Sequence, residues 1–209
     1  ISVGPDGATH QALEEIAIMR CLPHMTVIVP ADWREVQKAT EAAARQYGPI
    51  YIRFGREAVP VVTQEDTPFE IGKAYCCREG TDVAIIACGA MVYASLVAAE
   101  RLARKGIEAM VINLHTIKPI DRETVIEAAQ ICGAVVTAEE HQVMGGMGSA
   151  VAEVLSEACP VPIQMVGIMD SFGESGEPGE LMQKYGLTPE HVVTAAEAVL
   201  ASKAAGAKQ

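Results

Sequence analysis

The feature that most constrains this chain is the regular alternation of short apolar runs with helix-period segments from residue 81 onward. Alternation of this kind builds a parallel sheet with helices on both faces. We predict strands at 82–89, 108–115, 133–141 and 162–168 and helices at 94–106, 121–132, 145–158, 177–186 and 188–203, with a frayed tail at 204–209. The sequence therefore predicts a whole, mainly parallel α/β unit of about 125 residues.

The first third of the chain shows the same alternation in a shorter form. We predict a helix at 9–22, a strand at 25–30, a helix capped by Asp32 and ended by Gly48, and a strand at 49–54. Two strands are few beside a usual sheet of about five or six. We therefore expect a partial, doubly wound α/β unit that is truncated before its leading strand. Residues 57–75 lose periodicity and are expected to be an ordered linker, with a short entering strand at 69–75.

Composition excludes several classes of partner. No apolar run approaches the roughly 20 residues that a membrane span needs, so we expect no membrane association. Residues 1–64 carry a net charge of −1 and the rest of the chain −10. Because phosphate backbones repel such a surface, nucleic acid is not expected as a partner. The six cysteines form no CxxC pair, which favours free thiols in a reducing, cytoplasmic setting.

Two short segments carry candidate site residues. "GPDGATHQ" places Asp6 and His10 around a glycine turn predicted to open a helix, where free N–H groups could bind a polar substrate. The alternative is that Asp6 only forms the turn and His10 is exposed. "YIRFGR" ends a strand with Arg53 and Arg56, which suits a phosphate or carboxylate. The alternative is a surface ion-pair cluster with Glu57, and Arg53 has the weaker case because it lies within the strand.

Two glycine-rich segments later in the chain are interpreted as structural. "EEHQVMGGMGS" superficially suggests phosphate binding, but it matches no nucleotide motif, so the glycines are expected to allow close helix–strand packing. His141, at the strand end, could still border a cleft or a partner. "DSFGESGEPGEL" matches no calcium loop and is expected to be a structured surface turn rather than a metal site.

Four segments in order, "DGATHQALEEIAIMRCLPHMTVIVPAD", "GPIYIRFGR", "GGMGSAVAEVL" and "FGESGEPGELMQKYGLT", resemble the transketolase family. The resemblance covers essentially the whole chain. The resemblance is most specific to the C-terminal subunit of split transketolases, in which the enzyme is made as two chains. Ala8 stands where many members have proline, which leaves the polar residues of the turn untouched.

The resemblance implies a thiamine diphosphate and Mg²⁺ enzyme that transfers a two-carbon ketol unit between sugar phosphates, as in the pentose phosphate pathway. It implies a partial pyrimidine-binding domain at 1–62, a linker at 63–75 and a transketolase C-terminal domain at 76–205. It assigns Asp6 and His10 to the donor-sugar channel, with His10 catalytic, and Arg56 to the substrate phosphate. The family's activating glutamate and its metal and diphosphate ligands are expected elsewhere, so the chain alone should be inactive.

The resemblance also implies partners and leaves alternatives open. The expected partners are a diphosphate-binding domain or N-terminal transketolase subunit, a second copy in a homodimer, and sugar phosphates. 1-Deoxyxylulose-5-phosphate synthase and the β subunit of a 2-oxo acid dehydrogenase share much of this domain set. A fourth reading is a non-catalytic module that only dimerises and braces the site.

Overall fold

The structure, a computed structural model, describes residues 1–206 and contains two sheets flanked by helices. The strands are β1 (Thr26–Ile28), β2 (Ile50–Ile52), β3 (Tyr75–Arg78), β4 (Val83–Ala87), β5 (Ala109–Asn113), β6 (Thr116–Lys118), β7 (Val135–Gln142) and β8 (Ile163–Ile168). The helices are α1 (Glu15–Cys21), α2 (Trp33–Arg45), α3 (Met91–Ala103), α4 (Arg122–Cys132), α5 (Met147–Ala158), α6 (Pro178–Lys184) and α7 (Pro189–Gly206).

The larger sheet has five strands in the order β3-β5-β4-β7-β8. All of its pairings are parallel except that of β3, which runs antiparallel to β5 at one edge. Strand β4 is buried along its whole length, as expected of a central strand covered on both faces. Helices α3 and α7 pack on one face, while α4 and α5 pack on the other. The predicted α/β class with a mainly parallel sheet is confirmed.

The smaller sheet has the order β2-β1-β6, and its third strand comes from the later part of the chain. Strand β1 pairs parallel with β2 and antiparallel with β6, and the Val29 amide donates to the His115 carbonyl at 2.7 Å. Val27 and Val29 share one buried cluster with Ile86 and Ile112 of the larger sheet. The two units therefore share a core, and β1 gains a partner that periodicity did not predict.

The helix predicted at 9–22 is wrong in its first half, because α1 begins only at Glu15. Residues 7–14 form a turn in which the Gly7 carbonyl accepts from the His10 and Gln11 amides. The Leu13 carbonyl accepts from the Gln142 amide at 2.9 Å, so tertiary contacts replace helical ones here. The short strand predicted within 69–75 is also misplaced, since β3 starts at Tyr75.

The segment after β2 lacks regular structure yet is tied to α2. The Asp32 carboxylate caps α2 by accepting from the Glu35 amide, and it also accepts from the Val62 amide and from the amide and hydroxyl of Thr63. The Lys38 ammonium donates to three carbonyls in residues 64–67. These contacts fix the path between the two sheets.

Two remaining expectations concern the end of the chain and membrane spans. Helix α7 continues to Gly206, so residues 204–206 of the predicted frayed tail are helical, and residues 207–209 lie outside the described part. Within residues 1–206, no helix is both long enough and apolar enough to cross a bilayer.

We expect Asp32→Ala to lower the free energy of unfolding by about 2–4 kcal/mol, because the cap is lost and buried amides are left without an acceptor. Burial raises the pKa of Asp32, but its four donors outweigh this and leave it below the ordinary 3.8. A carboxyl group whose pKa is lower in the folded state stabilises the fold at pH values above its unfolded-state pKa. This contribution is lost as the pH falls through the folded-state pKa. The stability difference between wild type and variant should therefore shrink below about pH 4 in urea titrations. Asp66→Ala, an exposed change in the same segment, is the control and should show no such difference.

Candidate functional site

The segment carrying Asp6 and His10 is a compact turn on the surface. A single 3₁₀ turn at Gly4–Asp6 leads into Gly7, whose φ of 75° is readily adopted only by glycine. The His10 ring is exposed, and its Nδ1 lies 3.0 Å from the Thr9 hydroxyl. The expected helix N-terminus at His10 is absent, so its N–H groups and dipole are not available to this residue.

Arg56 and Asp6 form a two-point ion pair. The guanidinium nitrogens lie 2.6 and 3.3 Å from the two carboxylate oxygens, and Arg56 also approaches Glu57 at 3.8 Å. The hydrogen bond to Arg56 lowers the pKa of Asp6, and the same contact raises the pKa of Arg56. The Arg56 side chain is 58% exposed. The family resemblance assigns Asp6 to the donor-sugar channel and Arg56 to the substrate phosphate. In this structure the two residues pair with each other.

A cleft of about 340 Å³ lies beside this pair. Its walls include His10, Glu15, Tyr51, Arg53, Arg56 and Glu140. It opens beyond the end of β2, as expected for ligand clefts at the carboxyl ends of parallel strands. The structure therefore brings His10 and Arg56 to one cavity, with Asp6 held at its rim through Arg56. A second cleft of similar volume adds Val29 and Trp33 to a set of lining residues that it shares with the first: Ser2, Arg53, Phe54, Gly55, Arg56 and Glu140.

Arg53 is mostly buried in the wall of both clefts, and its Nε and Nη2 donate within the protein. Its Nε donates to Glu15 at 2.6 Å, and its Nη2 donates to the carbonyls of Ala12 and Glu140 at 3.1 and 2.8 Å. Burial disfavours the charged form of Arg53, but the carboxylates of Glu140 and Glu15 outweigh it and raise its pKa. The weaker binding case that the sequence gave Arg53 agrees with these structural partners.

The glycine-rich turn before α5 is filled by a carboxylate of the chain itself. Glu139 accepts from the Met147 and Gly148 amides at 2.7 and 2.8 Å. A Cβ at Gly146 would lie 2.3 Å from that carboxylate, and one at Gly148 would lie 2.5 Å from the Thr137 hydroxyl. Burial raises the pKa of Glu139 to about 7. The interpretation of close packing rather than phosphate binding is therefore supported.

His141 is buried and lines neither cleft, which corrects the expectation that it could border one. Its Nε2 accepts from the Ile16 amide at 3.1 Å, and its Nδ1 lies 2.7 Å from the Gln142 carbonyl. Burial lowers the pKa of His141, in keeping with a neutral ring that accepts at Nε2 and donates at Nδ1. His141 thus caps the first turn of α1.

The "DSFGESGEPGEL" segment is more than a surface turn, because it packs against the Asp6–His10 turn. Cβ atoms added at Gly4 and Gly7 would lie 2.8 and 2.4 Å from Pro178 and Ser175. The Gln11 side chain donates to the Glu174 carbonyl at 2.9 Å. Sequence reasoning missed this contact. The signal available was the pairing of two glycine-rich motifs, whose glycines favour close backbone approach.

The acidic and imidazole side chains of residues 1–206 are not gathered into a metal-binding cluster. Within the described residues, no group of three or more His, Cys, Asp and Glu side chains is placed to hold a metal ion. The cleft carboxylates of Asp6 and Glu15 are already paired with arginines.

Comparison with known proteins gives consistent matches along the chain. Residues 1–62 match the transketolase pyrimidine-binding domain and residues 72–192 the transketolase C-terminal domain. The chain is 46% identical to a 6-deoxy-6-sulfo-D-fructose transketolase subunit of Clostridium sp. strain MSTE9, covering 95% of the chain and 62% of that protein. It is 44% identical to the 1-deoxy-D-xylulose-5-phosphate synthase of Trichormus variabilis, covering 91% of the chain and 31% of that protein.

One solved structure is similar in both sequence and fold. It is described as a split gene transketolase, inactive beta4 tetramer, and it has a TM-score of 0.91 and 50% identity. The match covers 94% of this chain and 64% of that one. The chain thus spans less than two thirds of the length of each of these relatives.

We expect Arg53→Ala to lower the free energy of unfolding by about 3–5 kcal/mol, because it leaves the Glu15 carboxylate without its cation in a mostly buried place. Arg56→Ala is the matched control three residues along, and it should leave stability nearly unchanged because its ion pair is solvent-exposed. Urea unfolding of the two variants measures both effects. Equal losses in the two would contradict the assignment of Arg53 as the structural arginine.

Proposed function

The chain belongs to the transketolase family, and on that premise we propose that it forms the substrate-binding part of a thiamine diphosphate-dependent ketol transferase. The observation that carries the proposal is the single cleft shared by His10 and Arg56, with Asp6 paired to Arg56 at its rim. An imidazole and a guanidinium on one cavity suit a polyol that ends in an anionic group. Thiamine diphosphate would supply the electron sink for carbon–carbon bond cleavage.

We propose the following division of labour. Residues 1–62 contribute the substrate turn and Arg56, residues 63–75 connect, and residues 76–205 form the C-terminal domain. A partner domain or N-terminal subunit carries the Mg²⁺ and diphosphate ligands. The support for this division is that residues 1–62 and 72–192 match the pyrimidine-binding and C-terminal domains of transketolase, and that a similar protein is named as a transketolase subunit. Cytoplasmic location and a place in the pentose phosphate pathway remain predictions.

Within the cleft, we assign Arg56 to the terminal anion and His10 to the hydroxyls or the reacting oxygen of the donor. Arg56 can serve because it is more exposed than Arg53 and has a single close carboxylate partner. The substrates that we propose are a ketose phosphate as donor and an aldose phosphate as acceptor. The second candidate function is 1-deoxy-D-xylulose-5-phosphate synthesis, which is favoured by the 44% identity to such a synthase.

The reconstituted pair of subunits tests the proposal. With thiamine diphosphate and Mg²⁺ added, xylulose 5-phosphate plus ribose 5-phosphate should turn over, and pyruvate plus glyceraldehyde 3-phosphate should not. The chain without its partner should show no turnover above background. Turnover of the pyruvate pair alone would favour the second candidate.

In the reconstituted enzyme we expect Arg56→Ala to raise the KM for a phosphorylated donor by roughly 10–200-fold, because a charged hydrogen-bond partner of the phosphate is lost. An unphosphorylated donor such as hydroxypyruvate should be little affected and serves as the internal control. Steady-state kinetics with the two donors measures the difference. An equal rise in KM with both donors would contradict the assignment of Arg56 to the substrate phosphate.

We also propose that the chain self-associates through an apolar groove between α1 and the loop after β8. Ile18, Met144, Met169 and Phe172 are each more than half exposed there, with Phe172 at 86%. Ile18, Met144 and Phe172 line a cleft of about 300 Å³ with little polar character. The tetramer named for the split gene relative supports a second copy of this chain as the occupant.

We expect Phe172→Glu to shift the chain toward monomer, because it places a charge in an apolar contact. Sedimentation velocity over a concentration series measures the shift. Tyr47→Glu is the control, since Tyr47 is a fully exposed aromatic outside this groove. A wild-type chain that is monomeric at all concentrations, or two variants that behave alike, would contradict this interface.

A further inference from the structure

The segment from Gly7 to Glu14, here called the substrate turn, depends on residues far away in sequence. Its own backbone supplies only the two bonds to the Gly7 carbonyl. On one side it is fastened to the end of β7, where the Gln142 amide donates to the Leu13 carbonyl at 2.9 Å. Arg53 adds to this side by donating to the carbonyls of both Ala12 and Glu140.

On its other side the substrate turn meets the loop that follows β8. The Gln11 side chain is buried, and its Nε2 donates to the Glu174 carbonyl at 2.9 Å. A weaker contact of 3.5 Å reaches the Ile1 carbonyl. Because both neighbours are carbonyl oxygens, the amide nitrogen must face them, and this fixes the orientation of the side chain.

The opposite end of the Gln11 amide is held by shape alone. Its Oε1 is buried without a hydrogen-bond partner, and a Cβ added at Gly173 would lie 1.7 Å from it. A buried acceptor without a partner costs free energy, so the packing that holds it there must be closely fitted. Gly7, within the substrate turn, is also crowded, because a Cβ added there would lie 2.4 Å from the Ser175 hydroxyl. No larger residue fits at either position without moving one segment.

We propose that Gln11, locked against Gly173, is a positioning residue that sets where Asp6 and His10 stand relative to the cleft. His10 immediately precedes Gln11, and Asp6 immediately precedes Gly7, so both polar residues are carried by the locked backbone. The loop after β8 thereby gives the C-terminal unit a direct part in the site. The inference rests on the proposed function for its catalytic consequence, while the lock itself is a property of this chain alone.

Hydrogen exchange on the full 209-residue chain tests the lock without any assay of activity. Gly173→Ala should raise exchange at the amides of the substrate turn and leave β4 and residues 135–138 of β7 unchanged, because the added methyl displaces Gln11. Gly179→Ala is the matched control, since nothing lies within 4 Å of a Cβ at that position. Equal exchange in the two variants, or loosening of the central strands by Gly173→Ala, overturns the lock.

Kinetics of the reconstituted enzyme test the positioning role. Gln11→Met keeps the volume but removes the donor, and it should lower kcat/KM by about 10–100-fold, the size expected for a misplaced catalytic group. In a His10→Ala background the same change should cost clearly less, because the part of its effect that acts through His10 is already lost. An equal loss in both backgrounds, or none in the first, overturns the role. If no ketol transfer occurs at all, the proposed function fails while the exchange result still decides the lock.

Discussion

The candidate site depends most directly on the contacts that the Arg53 guanidinium makes. This guanidinium lies where three segments meet: the end of β2, the turn before α1 and the end of β7. A mostly buried cation is tolerated only when its donors are satisfied, so each of these segments must keep its place. The requirement ties the first sheet to the second more strictly than apolar packing does, because hydrogen bonds are directional while the shared core is not.

Arg53 and Arg56 lie three residues apart but differ in burial and in their partners. The partners of Arg53 are part of the fold, and its Nε and Nη2 are already committed to them. Arg56 lies at the surface beyond the strand end, where the Asp6 carboxylate pairs with it, Glu57 lies 3.8 Å away and water reaches it. On the proposed function, a substrate phosphate that replaced this carboxylate would keep a negative, two-point partner at Arg56.

The parts of the fold that follow from local periodicity were predictable from the sequence. The strands and helices of the larger sheet follow from their apolar spacing, and the α/β class follows from their order. Strand β6 was not predicted, since three residues carry no period and its pairing with β1 is a tertiary event. The helix predicted at 9–22 fails in its first half for the same reason, because distant acceptors and donors on β7 compete for the backbone of residues 12–16.

The candidate site divides along the same line. The residue types were visible in two short motifs, since an imidazole, a carboxylate and a paired strand-end arginine are unusual near a glycine turn. Their geometry was not visible, because the Asp6–Arg56 pair joins positions 50 residues apart and the Gln11–Glu174 contact joins positions 163 apart. The glycines connect the sequence motifs with the geometry of the site. Gly7 and Gly173 read as turn formers in sequence, but in the structure each is small because another segment occupies the space of its side chain. A glycine-rich motif far from the site in sequence can therefore shape the site without contacting a ligand. For this reason the sequence predicted only a surface turn for the "FGESG" segment.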